Sequence, residues 1–328
     1  MIRIAQKLSP FSHSCGIKCL VPYSHYVAEV FPSLFRLYDL SSQGISLVKE
    51  EHFAIKGPLK EFTVFCDLER GCVSVKSEQF CYHILPSGEV VHGKKSGLVS
   101  SLHKERLSLG SHKKQEWGAM RKRCDFVELF PLWHALGRDL KLPEIPLEVG
   151  GMFSLLEECR KTLEQKHPER TLIYFKKLFL AAFEGMCVPR LIDHEHQGIV
   201  QEEGGSHSPL YLLKRSAEMI RSLFVRVEEK TILLLPHLPP EFFAGRFVHV
   251  AVLPFGELDL EWSKKTVRQM VFASTYEGVL DFDFGSSLKS FRLRKDVRDR
   301  GERQEICDCR AKLVMKKGVR YYLDRFER

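Results

Sequence analysis

The sequence predicts an α+β protein with an N-terminal antiparallel β domain, a short α-helical block and a C-terminal β-sandwich. Three observations carry this. The first hundred residues hold short apolar runs cut by Gly and Pro turns; from Phe126 to Phe224 apolar residues recur at helical spacing; from Thr231 they recur at every second position. The boundaries follow: a β domain over 1–97, a basic linker over 98–124, a helical block over 125–229 and a sandwich over 230–328.

In the first region, apolar runs at 62–66, 72–75 and 80–85 are separated by Glu69-Arg70-Gly71 and Pro86-Ser87-Gly88, so hairpins are expected. The next region is hydrophilic. From Phe126, residues Leu129, Phe130, Trp133 and Leu136 share a helical face, and Pro131 bends or delays that helix. Met152 to Lys166 places Phe153, Leu156, Cys159 and Leu163 on one stripe and stops at His167-Pro168. Glu169 to Val188 is apolar around more than half its circumference, which predicts near burial. A fourth helix opens at Pro209 with Ser208 as N-cap and carries Leu210, Leu213, Ala217, Ile220 and Phe224.

The β region that follows begins with a continuous apolar strand, Thr231 to Leu235. Pro236, Pro239 and Pro240 forbid its continuation, and Gly245 is read as releasing the turn into a new strand. Leu258, Leu260 and Trp262 then point to one face while Glu257, Asp259 and Glu261 point to the other. Further strands are expected near 267–273, 278–284, 289–294, 311–315 and 319–323.

Charge and cysteine usage narrow the function. Fifty Lys and Arg against 42 Asp and Glu give a net charge of +8, concentrated between Lys94 and Arg123 and between Lys289 and Arg303. Either stretch suits an acidic protein partner or is a solvated linker and edge strand; no nucleic-acid module accompanies them. The ten Cys are scattered among apolar positions, as reduced core thiols are, and the Cys15/Cys19 and Cys307/Cys309 pairs lack zinc-site partners. No secretory apolar stretch follows Met1 and no run reaches the length of a membrane span, so a soluble, cytoplasmic protein is expected. Gly150-Gly151 and Gly204-Gly205 lack the neighbours that phosphate cradles need, and no cofactor is expected.

One stretch resembles a known family. Gly204-Gly205, Ala217-Glu218-Met219-Ile220, Leu234-Leu235-Pro236-His237-Leu238-Pro239, Gly245 and Phe255-Gly256-Glu257-Leu258-Asp259-Leu260-Glu261-Trp262 are similar, in order and spacing, to a junction in family 95 glycoside hydrolases. This is the inverting α-fucosidase and α-galactosidase group, and the stretch resembles its passage from the last barrel helix into the C-terminal sandwich. The resemblance covers about residues 200–275 and implies a carbohydrate-active scaffold that binds, and in an active member hydrolyses, a glycan or glycoconjugate. It implies a truncated α/α-barrel-like helical block, since 98–229 has room for about four to six helices where the family has a dozen. Where the family carries its catalytic Asp, this chain reads Val200-Gln201-Glu202-Glu203-Gly204-Gly205-Ser206-His207.

Inverting hydrolysis requires two carboxyl groups about 6.5–9.5 Å apart, one protonated and one activating water. The densest source of carboxylates is 191–209, where Glu202, Glu203 and Asp193 are the catalytic candidates and His207, His194 and Glu195 the substrate-binding ones. The alternative is a polar loop whose Ser and acids cap the next helix. His194 and His196 could form a three-ligand set with Glu202 or His207, but His-x-His is common by chance, a matching fourth ligand is lacking and no metal site is expected. A second cluster, 109–133, adds Trp117, Arg123 and Glu128 as a sugar-stacking platform with polar partners; alternatively Trp117 anchors the linker to a core and Arg123 pairs with Asp125 or Glu128. The competing function is a non-catalytic interaction protein on a degenerate hydrolase scaffold.

Overall fold

The computed structural model of the protein describes residues 2–4, 11–42, 44–93, 105–110, 115–142, 151–165, 167–192, 207–236, 238–285 and 288–328. The architecture is α+β. Strands β1 (Phe11–His13), β2 (Lys18–Leu20), β3 (Tyr26–Val30), β4 (Leu34–Asp39), β5 (Ser46–His52), β6 (Thr63–Asp67), β7 (Cys72–Lys76), β8 (Cys81–Ile84) and β9 (Val90–His92) occupy the N-terminal region. They form two antiparallel sheets, β1-β6-β7-β8-β9 and β2-β3-β4-β5. Phe35 of β4 meets Tyr82 of β8 at 6.2 Å between ring centroids, and Phe53 meets the same tyrosine at 5.1 Å, so the sheets face each other across an aromatic seam.

The stretch read as a linker contributes structure of its own. Strand β10 (Arg106–Ser108) and helix α1 (Trp117–Arg123) lie within it, and β10 pairs with a strand from the far end of the chain. Helices α2 (Phe126–Gly137), α3 (Gly151–Glu164) and α4 (Pro168–Ala182) follow, then the small hairpin β11 (Phe183–Glu184) and β12 (Val188–Pro189), then α5 (Leu210–Ser222). Asp125 caps α2 by accepting the Val127 amide at 3.0 Å, and Pro131 sits inside the helix without ending it. Tertiary burial overrides the proline's local cost here: Leu129, Phe130, Leu132 and Trp133 are all fully buried. Helix α4 stops short of the expected Val188 because Phe183 turns into extended backbone and opens the hairpin.

The C-terminal region holds β13 (Val225–Glu228), β14 (Thr231–Leu234), β15 (Ala244–Val252), β16 (Gly256–Ser263), β17 (Thr266–Ser274), β18 (Gly278–Asp283), β19 (Ser290–Arg294), β20 (Glu302–Glu305), β21 (Arg310–Met315) and β22 (Arg320–Glu327). One sheet runs β10-β15-β16-β17-β22-β19-β20 and the other β13-β14-β18-β21. The pairing of β14 with β18 is parallel. Phe272 of β17 packs on Phe282 of β18 at 5.5 Å, and Trp262 of β16 packs on Phe224 at 5.3 Å, which closes the sheets into a sandwich. Leu258, Leu260 and Trp262 are buried as the alternation requires; Glu257 on the opposite face is exposed, while Asp259 and Glu261 are half-buried. No helix among the described residues is long and apolar enough to cross a membrane.

The helical block joins the two β regions. On one side the Met186 amide donates to the Lys18 carbonyl at 2.8 Å, and Gly185 takes a positive φ of 48° where a Cβ would run into that same carbonyl. On the other, Glu105 accepts from His134 Nε2 of α2 at 3.0 Å and from Arg221 Nε of α5 at 3.0 Å, and Arg221 also donates to the Ala251 carbonyl of β15.

Candidate functional site

A cleft forms where the N-terminal sheet β2-β3-β4-β5 meets the hairpin and helices that follow. Its walls are Lys18 of β2, Leu40 and Ile45 after β4, Glu184 and Arg190 around the hairpin, and Ile192 and Pro209 on either side of the segment 193–206. The cavity is about 200 Å³. That is below the roughly 300–1,000 Å³ of sites for drug-sized ligands and on the scale of one sugar residue.

Each polar wall residue is held by a specific contact. Lys18 Nζ lies 2.9 Å from Glu184 Oε1, a pair about three-quarters shielded from solvent at both ends. Arg190 is buried; its Nε donates to the Ala181 carbonyl at 2.9 Å and Nη2 to the Leu180 carbonyl at 3.3 Å, so its charge lies at the C-terminus of α4, where the helix dipole favours a cation. Ser208 donates to the Leu40 carbonyl and accepts the Leu210 amide at 3.2 Å, which fixes the start of α5 against the cleft wall.

Of the residues predicted to act, Glu202, Glu203, Asp193, His194 and Glu195 lie outside the described residues, as do Lys94, Lys95, Lys104, Lys113 and Lys114 of the first basic stretch. His207 stands at the entry to α5, its ring 6.0 Å from that of Tyr211. Arg123 and Glu128 meet at the corner between α1 and α2, while Trp117 stands at the far end of α1. Trp117 is only 2% exposed and meets Phe179 edge-on at 6.2 Å, so its ring faces are taken up by the core. Arg123 donates through Nε and Nη2 to Glu128 Oε2 at 2.9 and 2.7 Å, and Glu128 is itself buried. Glu116 caps α1 by accepting the Gly118 and Ala119 amides at 2.8 and 2.7 Å. Helix α1 is thus held by a cap and a buried anchor at its start and by an ion pair to α2 at its end; none of Trp117, Arg123, Glu128 and His207 lines the cleft.

Three arginines of the second basic stretch hold acidic partners within their own sheet. Arg292 and Arg294 both bond Asp324, Arg292 through Nε at 2.7 Å, and Arg303 Nη2 lies 2.8 Å from Glu327. Burial tends to raise the Asp324 carboxyl, but the two guanidinium groups overcome it and hold it below its ordinary value.

One group of side chains escapes the sequence reading. His249, Glu257 and Asp259 bring an imidazole and two carboxylates together on the outer face of β15 and β16. The alternation in GELDLEW places the two acids on one face, but nothing in the linear pattern places His249 over them. Neither protein-family models nor curated proteins match the chain.

Proposed function

We propose that the protein binds a glycan or glycoconjugate on a scaffold of glycoside-hydrolase kind, with a sugar residue seated in the cleft beside Lys18, Glu184 and Pro209. The observation that carries this is the position of the cleft: Ile192 and Pro209 on its walls bracket the stretch of sequence that holds Asp193, Glu195, Glu202 and Glu203. A small cavity with apolar walls and a shielded ion pair offers both surfaces that sugar recognition uses, apolar contact for C–H faces and polar groups for hydroxyls. A larger, more open depression of about 820 Å³ near Asp283 and Cys307–Arg310 has no such link to the candidate carboxylates.

The rival reading, an interaction protein for an acidic partner, is the weaker one because Arg292, Arg294 and Arg303 already hold acidic partners within their own sheet. Calorimetry of the full chain against α-fucosides, α-galactosides and α-glucosides tests the proposal. Binding is expected, with a loss of at least tenfold in Ile192→Arg, whose side chain fills the cavity. Hydrolysis of any bound glycoside is expected to disappear in Glu203→Gln while binding persists. No binding across a broad glycan panel, or binding indifferent to Ile192→Arg, retires the reading.

A further inference from the structure

We propose that His249, Glu257 and Asp259 form a binding site for a divalent first-row transition-metal cation on the outer face of the C-terminal sheet. The site is independent of the sugar cleft and is built by a β-bulge. Phe247 pairs with Leu260 and Val250 with Leu258, so Val248 and His249 together stand opposite the single residue Asp259. The extra residue is absorbed at His249, which takes a positive φ of 57°. Val248 and Val250 on either side are buried, whereas His249 is half-buried and its ring lies against the exposed Glu257 on the outer face. There the two-residue period of β16 has already placed Glu257 and Asp259 side by side.

The contacts fix the three groups relative to one another. The His249 backbone amide donates to Asp259 Oδ1 at 2.9 Å, and its ring Nδ1 lies 3.0 Å from Glu257 Oε1. One ligand atom from each residue lies within 4.8 Å of the other two. Tetrahedral ligands at 2.0–2.2 Å from an ion are about 3.4 Å apart, so a small rotation of the exposed Glu257 side chain completes the set.

Electrostatics give a cation a reason to bind. Asp259 is half-buried and its carboxylate lies close to that of Glu257, with both acids gathered at the His249 ring. A divalent ion relieves both the poor solvation and the carboxylate repulsion. An imidazole with two carboxylates suits zinc, manganese or cobalt, whereas calcium and magnesium prefer oxygen alone. Three protein ligands leave at least one coordination position for water.

Cobalt(II) is the diagnostic probe, because its spectrum separates nitrogen and oxygen ligands from thiolates, and this chain carries ten Cys. Titration of the metal-free full chain is expected to show one site with visible d–d bands and no intense thiolate charge-transfer band. His249→Asn, which tolerates the left-handed backbone, and Glu257→Gln, on the surface, are each expected to weaken that site at least tenfold. Both should unfold at the wild-type temperature without metal and lose the upward shift that zinc gives the wild type. Affinity within twofold of wild type in both variants overturns the proposal. So does cobalt bound only with a thiolate band, or no uptake at millimolar cobalt.

Discussion

Gly245 shows how a residue can be noticed for the wrong reason. Its place after three prolines suggests a turn, yet it lies within β15, and a Cβ there would come 2.6 Å from Cη2 of the Trp262 ring and 2.8 Å from the Ser108 carbonyl. The glycine is required by close approach and not by backbone freedom. Trp262 is 1% exposed and donates Nε1 to the Phe242 carbonyl at 3.1 Å, so the indole cannot easily move aside. Gly245→Ala is therefore expected to cost about 1–3 kcal/mol through overpacking. Trp262→Ala should cost about 3–5 kcal/mol through the cavity it leaves. Urea unfolding measures both, and a neutral Gly245→Ala would show that the sheet opens readily at this edge. The burial of Leu258, Leu260 and Trp262 was legible because a strand's period is two. The clash was not, because its partner lies across a hairpin.

At the scale of elements, the crossing of α2 and α5 depends on another absent side chain. A Cβ at Gly137 would lie 2.5 Å from the Leu213 carbonyl and 2.6 Å from Ala217 Cβ, so the helices meet backbone to backbone at their small residues. Above that contact Trp133 Nε1 donates to Ser216 Oγ at 2.8 Å, and Ser216 in turn donates to the Leu213 carbonyl at 3.0 Å. Gly137→Ala gains helix propensity in α2, but the fixed backbone opposite makes the clash dominate, and a net loss of about 1–3 kcal/mol in thermal or chemical unfolding is expected. Gly137→Ala at or above wild-type stability would mean that the helices separate without penalty. The apolar stripes of α2 and α5 are readable at helical spacing in the sequence. Their pairing is not, since period alone says which face is buried and never against what. The same limit hid the metal-ligand group, whose His249 joins its acids only through a register shift between strands.

Across the whole molecule, the tie formed by Glu105, His134 and Arg221 contributes to how the protein responds to acid, alongside the buried His13 and His83. Burial lowers the His134 imidazole below its ordinary value of 6.5, outweighing the Glu105 contact that would raise it. For Glu105, burial alone would raise the carboxyl, but the His134 and Arg221 contacts win and hold it below 4.5. The two signs agree. Unfolding lets His134 take up a proton that the folded protein resists, so its contribution is complete above pH 6.5 and declines as pH falls toward the depressed folded-state value. The contribution of Glu105 is complete above pH 4.5 and is lost as pH falls through its own lower value. Stability measured against pH is expected to fall in two stages, and His134→Gln should flatten the first and shrink the second, because the His134 contact is part of what lowers Glu105. An unchanged first stage in that variant would assign it to the other buried histidines, His13 and His83. Nothing in the sequence announces this tie, because its members come from a stretch read as linker and from two helices.

The pairing of β10 with β15 has a consequence for how the chain is made. Residues Arg106–Ser108 leave the ribosome long before Ala244–Val252 exist, so the strand that closes one side of the C-terminal sheet must wait for its partner to be synthesised. Until the two meet, or in any fragment that lacks the early strand, β15 keeps a bare row of backbone donors and acceptors, which is a template for another copy. A fragment spanning 207–328 is therefore expected to self-associate in size-exclusion chromatography where the full chain does not, and a synthetic peptide covering 105–110 is expected to shift it back toward monomer. A monomeric fragment would mean that the sandwich is complete without the strand it borrows from the other side of the helices.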